Sequence, residues 1–216
     1  MQTKIYFSSF LIFLLSWASQ PSYAQNRVHQ LARDVYYWSG DLSKHEQTNV
    51  GFVVFRDYVL VIDANFPWAA EKIITDIKTI TPKPIRFVFN THYHADHTLG
   101  NSVFIAHGAA IVSTDDLALE LGTKGIEDVK EQTKIKSEHL ELPSIRFHDH
   151  LVFDDGQHRV ELIKYGQAHT KGDGVAYLPA EGIVFVGDLA VNWTFGNNLS
   201  DQDVRYIGWI RALDNI

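Results

Sequence analysis

The chain has 216 residues, 45% apolar and 21% charged, the length and composition of one globular domain rather than of a disordered, fibrous or coiled-coil chain. Its formal charge of −7 gives no basic footprint for a phosphate backbone, so nucleic acid is not an expected partner. The lack of cysteine excludes disulfides, thiol nucleophiles and thiolate metal sites, which leaves nitrogen and oxygen as metal ligands and makes the placement of 11 histidines the central question.

Residues Met1 to Gln25 carry one early positive charge at Lys4, an apolar stretch from Ile5 to Trp17, and the small-residue pattern Ser22-Tyr23-Ala24. This is the pattern of a secretory signal peptide cleaved after Ala24. The rival reading is a membrane anchor, but the apolar stretch falls short of the ~20 residues needed to span a bilayer, and Pro21 follows it. The expected mature domain is residues 25–216, periplasmic or secreted, with no membrane partner after cleavage.

Asn49 to Phe55 and Tyr58 to Asp63 are short β-rich runs separated by Arg56-Asp57, which predicts a hairpin. Ala70, Ile73, Ile74, Ile77 and Ile80 then recur at helical spacing, with Pro67 near the start and Pro82 and Pro84 beyond the end. Ile85 to Phe89 reads as a buried strand that runs directly into Asn90-Thr91-His92. After it come a short helix around Leu99 to Phe104, a strand near Ala110 to Ser113, and a charged, mostly helical stretch from Thr114 to His139. Leu151 to Phe153, Val160 to Tyr165, Val175 to Leu178 and Ile183 to Gly187 are short strands, the last two joined by Pro179-Ala180-Glu181-Gly182. From Asp203 the helical spacing continues to Ile216 without a stop signal, which predicts that the closing elements of the domain lie beyond this sequence. The element order predicts a mixed α/β chain with two packed sheets and helices outside.

The chemistry gathers in His92-Tyr93-His94-Ala95-Asp96-His97, an H-x-H-x-D-H pattern on a loop leaving a strand, which this composition produces by chance in roughly 0.2% of cases. In extended backbone, side chains at i and i+2 point the same way, so His92 and His94 can share one metal. Asp96 and His97, turned elsewhere, can reach a second metal a few ångströms away. The competing reading is a solvent-exposed, histidine-rich loop. Against it stand Gly166-Gln167-Ala168-His169-Thr170 and Val186-Gly187-Asp188, each placing a ligand-type residue just after a predicted strand. Taken singly, His169 reads as a hydrogen-bonding histidine and Asp188 as a turn residue.

From Asp63 through Asp188, in motif, order and spacing, the chain resembles the metallo-β-lactamase superfamily. The resemblance implies an α/β four-layer αββα sandwich with the site at its edge. It also implies that His92, His94 and His169 bind a first metal, that Asp96 and His97 bind a second, and that Asp188 bridges both. Asp63, in Val-Ile-Asp-Ala, is expected beneath the site without binding a metal. Two departures stand out. Members normally supply one more histidine to the second metal from a downstream Gly-His-type segment, and no such segment occurs in this sequence. Secreted β-lactamases of the family carry Cys or Ser where Asp188 stands, whereas glyoxalase-II-like enzymes and lactonases carry Asp.

Imidazole and carboxylate ligands suit zinc, one or two ions per chain, with iron or manganese also compatible with a His/Asp site. Hydroxide generated on the metal is the expected nucleophile toward a carbonyl of a small-molecule ester, thioester, lactone or lactam, and Asp96 is the expected catalytic residue, orienting that hydroxide or shuttling its proton. The alternatives are a true β-lactamase and an inactive periplasmic metal-binding or accessory protein. Neither G-x-S-x-G, S-x-x-K nor G-x-x-x-x-G-K-[ST] occurs, which disfavours a serine hydrolase and a P-loop enzyme. His29, His45, His107, His139, His148, His150 and His158 are expected on the surface or around the site. Trp38, Phe66, Trp68, Trp193 and Phe195 read as a candidate apolar substrate wall, with ordinary packing the favoured reading for each.

Overall fold

The computed structural model describes residues 27–46, 48–134, 140–191 and 204–215. The expected signal peptide and cleavage site, His139, Trp193 and Phe195 lie outside the described residues. In chain order the elements are β1 (Val28–Ala32), β2 (Val35–Trp38), β3 (Val50–Val54), β4 (Val59–Ile62), α1 (Pro67–Ile80), β5 (Ile85–Phe89), α2 (Ala95–Thr98), α3 (Asn101–Ala106), β6 (Ala110–Thr114), α4 (Asp115–Thr133), β7 (Ile145–Phe147), β8 (His150–Asp154), β9 (Arg159–Gly166), β10 (Asp173–Leu178), β11 (Ile183–Phe185) and α5 (Tyr206–Asn215), with single 3-10 turns at Leu42–Lys44 and Gly187–Leu189.

Among these residues one sheet has the order β1-β2-β3-β4-β5-β6-β7, antiparallel from β1 to β4 and parallel from β4 to β7. The second is antiparallel in the order β11-β10-β9-β8. The layering follows from side-chain alternation along buried strands. On β4, Val59 and Val61 face α1 beside Ile73, Ile74 and Ile77, while Leu60 and Ile62 face the second sheet beside Leu162, Ala176 and Leu178. The outer face of that sheet, with Ile163, Val175 and Val184, packs on Trp209 and Ala212 of α5. Helix, sheet, sheet and helix therefore stack in the expected αββα order. No helix among the described residues is long and apolar enough to cross a membrane.

Several readings are corrected. β1 and β2 are additional to the sequence reading, and Trp38 on β2 is fully buried in the core with its Nε1 donating to Asp76, the ordinary packing favoured for it. Asp96 and His97 lie on the helical turn α2, not on a loop, and His92 sits in a bend rather than in extended backbone. β11 ends at Phe185, so Asp188 belongs to the 3-10 turn that follows. His158 is neither on the surface nor around the site. It is buried, with Nδ1 3.0 Å from Glu181 and Nε2 3.6 Å from Asp34, two acids that settle a buried imidazole far better than water-facing exposure would require.

Candidate metal centre

The parallel strands β4 and β5 deliver the site at their C-terminal ends, where the next residues must turn out of the sheet. Asp63, directly after β4, holds φ at 68°, in the left-handed region that costs a non-glycine residue about 1–3 kcal/mol. Its carboxylate organises the segment after β5: Oδ1 accepts from the Thr91 amide at 2.8 Å, Oδ2 from the Thr91 hydroxyl at 2.9 Å, and Oδ2 lies 2.9 Å from His97 Nδ1. Asn90 donates to the His97 carbonyl at 3.0 Å and exchanges hydrogen bonds with Asn101, which ties the two ends of the motif together. These turns bring His92 and His94 together although His92 is not in a strand.

His169 is held from two sides. Asp173, buried at the start of β10, accepts from the Thr170 hydroxyl at 2.6 Å, the Thr170 amide at 2.9 Å and the Ala168 amide at 3.2 Å. Burial pushes its carboxyl up to about 7, against the pull of those donors. From the other side buried Glu120 of α4 accepts from the Gly172 amide at 2.8 Å, and Thr114, the last residue of β6, donates from its hydroxyl to the Gly172 carbonyl at 2.8 Å while capping α4. Burial raises the Glu120 carboxyl too, although Lys124 and the amides oppose it. Trp209 of α5 lies against the His169 ring, with centroids 5.5 Å apart, and donates from Nε1 to the Leu189 carbonyl at 2.8 Å. Gly187 has φ of 55°, and a Cβ there would stand 2.4 Å from Thr91 Oγ1, so glycine alone lets the turn carrying Asp188 approach the motif.

The outcome is a pair of adjoining ligand groups, each with its ligand atoms within 4.8 Å of one another: His92, His94 and His169, and then His92, His97 and Asp188. His92 Nε2 and His169 Nε2 lie 3.0 Å and 3.2 Å from His94 Nδ1. Asp188 places Oδ1 3.3 Å from His97 Nε2 and Oδ2 3.8 Å from His169 Nε2, one oxygen toward each group. Asp96 stands beside the second group but outside it, with Oδ2 3.7 Å from His97 Nε2. All six expected site residues thus converge, from a span of the chain between β5 and the turn after β11.

Burial and the neighbouring His97, His94 and His169 hold His92 well below the ordinary histidine range, which keeps it in the neutral form that binds metals. For His97, burial acts downward but the carboxylates of Asp63, Asp96 and Asp188 prevail and raise it well above that range. Burial pushes Asp188 up, and His97, His169 and His94 more than reverse this, holding its carboxyl down to about 2. The raised His97 ring donates from Nδ1 to Asp63 and keeps a proton on Nε2 among oxygen acceptors, and a metal binding at Nε2 would displace that proton. Such a set is able to hold a cation, and nitrogen and carboxylate donors suit a divalent metal.

Thr48, Asn65, Thr91, Glu120, Asp173 and Trp209 all shape this centre and were not anticipated. Only Thr91, next to the first histidine, and Asp173, read as a turn residue, carried a local signal. Of the expected substrate wall, Phe66 is buried and stacks on half-exposed Trp68 at 4.7 Å. His29, His45, His107, His148 and His150 are exposed, as expected.

Fold and ligand set together define a metal-binding αββα domain. A sequence model of the metallo-beta-lactamase superfamily matches residues 44–215, and the chain belongs to that superfamily. Ribonuclease Z of Lacticaseibacillus casei (strain BL23) is 37% identical over 86 residues, 38% of this chain, and the match spans 26% of that relative's length. Among solved structures, a metallo-beta-lactamase from Pontibacter korlensis is similar at a TM-score of 0.65 and 21% identity, over 87% of this chain and 83% of its own. The DIM-1 metallo-beta-lactamase is similar at 0.66 and 16%, over 88% and 81%. At these identities the structural likeness speaks to the fold.

Proposed function

We propose that the protein is an exported, zinc-dependent hydrolase of small molecules with an electrophilic carbonyl, an ester, thioester or lactone before a lactam. The observation that carries this reading is Asp188, whose two oxygens face the two ligand groups at 3.3 Å and 3.8 Å. A hard carboxylate between two nitrogen-rich groups suits a pair of zinc ions better than one soft ion, with iron or manganese the alternatives. His92, His94 and His169 would hold the first ion; His97 and Asp96 would hold the second, with Asp188 shared. The chemistry zinc would supply in such a setting is a water made far more acidic than in bulk and a polarised carbonyl.

The chain's own groups do the rest. Asp63 fixes the His97 ring through Nδ1. Asp96, with its side chain 16% exposed, is reached by solvent and positioned to take a proton at Oδ and return it to a leaving group. Buried Tyr93, its ring 4.6 Å from that of His94, limits water on that side of the histidines. The likeness to a ribonuclease Z raises RNA as a substrate; the formal charge of −7 opposes that partner, and the N-terminal signal pattern favours work outside the cytoplasm.

Elemental analysis of protein recovered from the periplasm, beside turnover of a lactone, a thioester, nitrocefin and a structured RNA, tests the reading. Expected are zinc, an N-terminus at Gln25, and kcat/KM highest on the lactone or thioester. Nitrocefin or RNA as the fastest substrate overturns the substrate class, and bound metal without turnover of any would make this a metal-binding protein.

A further inference from the structure

We infer that Thr48 is a positioning residue that holds the Asp96 carboxylate onto the second ligand group and so sets how tightly that group keeps its ion. The inference rests on the metal-centre reading above. Asp96 is the one residue of the H-x-H-x-D-H motif that stands outside both close ligand groups. Beside it, the Thr48 hydroxyl lies 3.2 Å from Asp96 Oδ2 and 3.1 Å from His97 Nε2, in a position 8% exposed.

Proton accounting assigns the direction of these contacts. A hydroxyl has one hydrogen, and an ionised carboxylate only accepts, so the hydrogen goes to Asp96 Oδ2. The hydroxyl's lone pairs are then on the side of His97 Nε2, where they accept that ring's proton until a metal displaces it. Thr48 Oγ1, Asp188 Oδ1 and Asp96 Oδ2 stand 3.1 Å, 3.3 Å and 3.7 Å from His97 Nε2, and the hydroxyl pins Asp96 Oδ2, the oxygen that faces the second group. Hydrogen bonds of this kind to a ligating carboxylate orient it and commonly change metal affinity about 10–100-fold.

The backbone that presents Thr48 is held firmly enough for the hydroxyl to direct Asp96 rather than follow it. Asn65, fully buried with φ of 53°, donates from Nδ2 to the Thr48 carbonyl at 2.6 Å. Gly40 faces the same carbonyl so closely that a Cβ would stand 2.9 Å from it and 2.2 Å from the Glu46 carbonyl. Two residues before Thr48, the buried Glu46 carboxylate is clamped by Arg27 and Lys72. Glu46 and Thr48 are thus held by contacts from Arg27, Lys72, Asn65 and Gly40.

The test uses full-length zinc-loaded protein in three forms: wild type, Thr48→Val, which keeps the shape and loses the hydroxyl, and Thr48→Ser, which keeps the hydroxyl. Each is dialysed against graded free zinc, metal content is read by elemental analysis, and melting temperature is recorded alongside. Expected are a first ion retained equally by all three and a second ion held about tenfold or more weaker in Thr48→Val, with Thr48→Ser close to wild type. Equal retention of both ions by wild type and Thr48→Val overturns the inference while leaving the metal centre standing. Thr48→Ser as weak as Thr48→Val overturns it in favour of a packing role. Wild-type protein that holds fewer than two ions overturns it together with the two-ion reading of the site.

Discussion

Oδ2 of Asp63 lies 2.9 Å from Nδ1 of His97, and the same carboxylate takes both the amide and the hydroxyl of Thr91. One acid on β4's exit therefore fixes a ring orientation on α2 and the turn that carries His92. Asp63→Asn keeps the shape but can present an amide N–H to Nδ1, which would move the ring proton to Nε2 and close that atom to a metal. The expected outcome is about 10–100-fold weaker retention of the ion held by His97. Metal content against free zinc checks this. Asp63→Ala should also lower stability by about 1–3 kcal/mol, because the buried Thr91 donors lose their acceptor.

The turn at Gly187 offers a controlled comparison. Gly187→Ala meets two penalties, a positive φ of 55° and a Cβ 2.4 Å from Thr91 Oγ1. Gly182→Ala meets only the first, at φ 64° with open space around it. Thermal melts should show Gly182→Ala losing about 1 kcal/mol and Gly187→Ala clearly more. Only the second should lose metal, since only it displaces Asp188.

A third prediction concerns acid. Burial pushes the Glu46 carboxyl up, but hydrogen bonds from Lys72 and Arg27 outweigh it and hold the group below its ordinary 4.5. A carboxyl lowered by folding adds stability that is complete above its unfolded value and fades as pH falls through the folded one. Urea midpoints measured from about pH 6 downward should therefore fall more steeply for wild type than for Glu46→Gln below about pH 4.5. The variant should be less stable at neutral pH, since it leaves Arg27 and Lys72 without a charged partner. Parallel curves would show that the clamp contributes nothing through ionisation.

Much of the architecture was legible because burial writes itself into composition. The β-rich run Tyr58 to Asp63 and the apolar run Ile85 to Phe89 signalled the strands β4 and β5, and the 3.6-residue recurrence from Ala70 to Ile80 signalled the one-sided burial of α1. β1 and β2 carry a weak signal because β1 is largely exposed with a polar centre and the valine and aromatic run of β2 shows no alternation of apolar and polar residues.

The sequence by itself determined the ligand inventory. Without cysteine, and with three histidines and an aspartate inside six residues, a nitrogen and oxygen metal site was set by residue types and spacing that local backbone alone can bring together. Only the tertiary structure decided which distant groups complete and steer that site. Thr48, Glu120 and Trp209 come from a loop and two helices, and each acts through a contact a few ångströms long on residues dozens of positions away in sequence. Such contacts exist only after two sheets and their helices have packed, because burial, and not spacing along the chain, removes the water that would otherwise satisfy those polar groups.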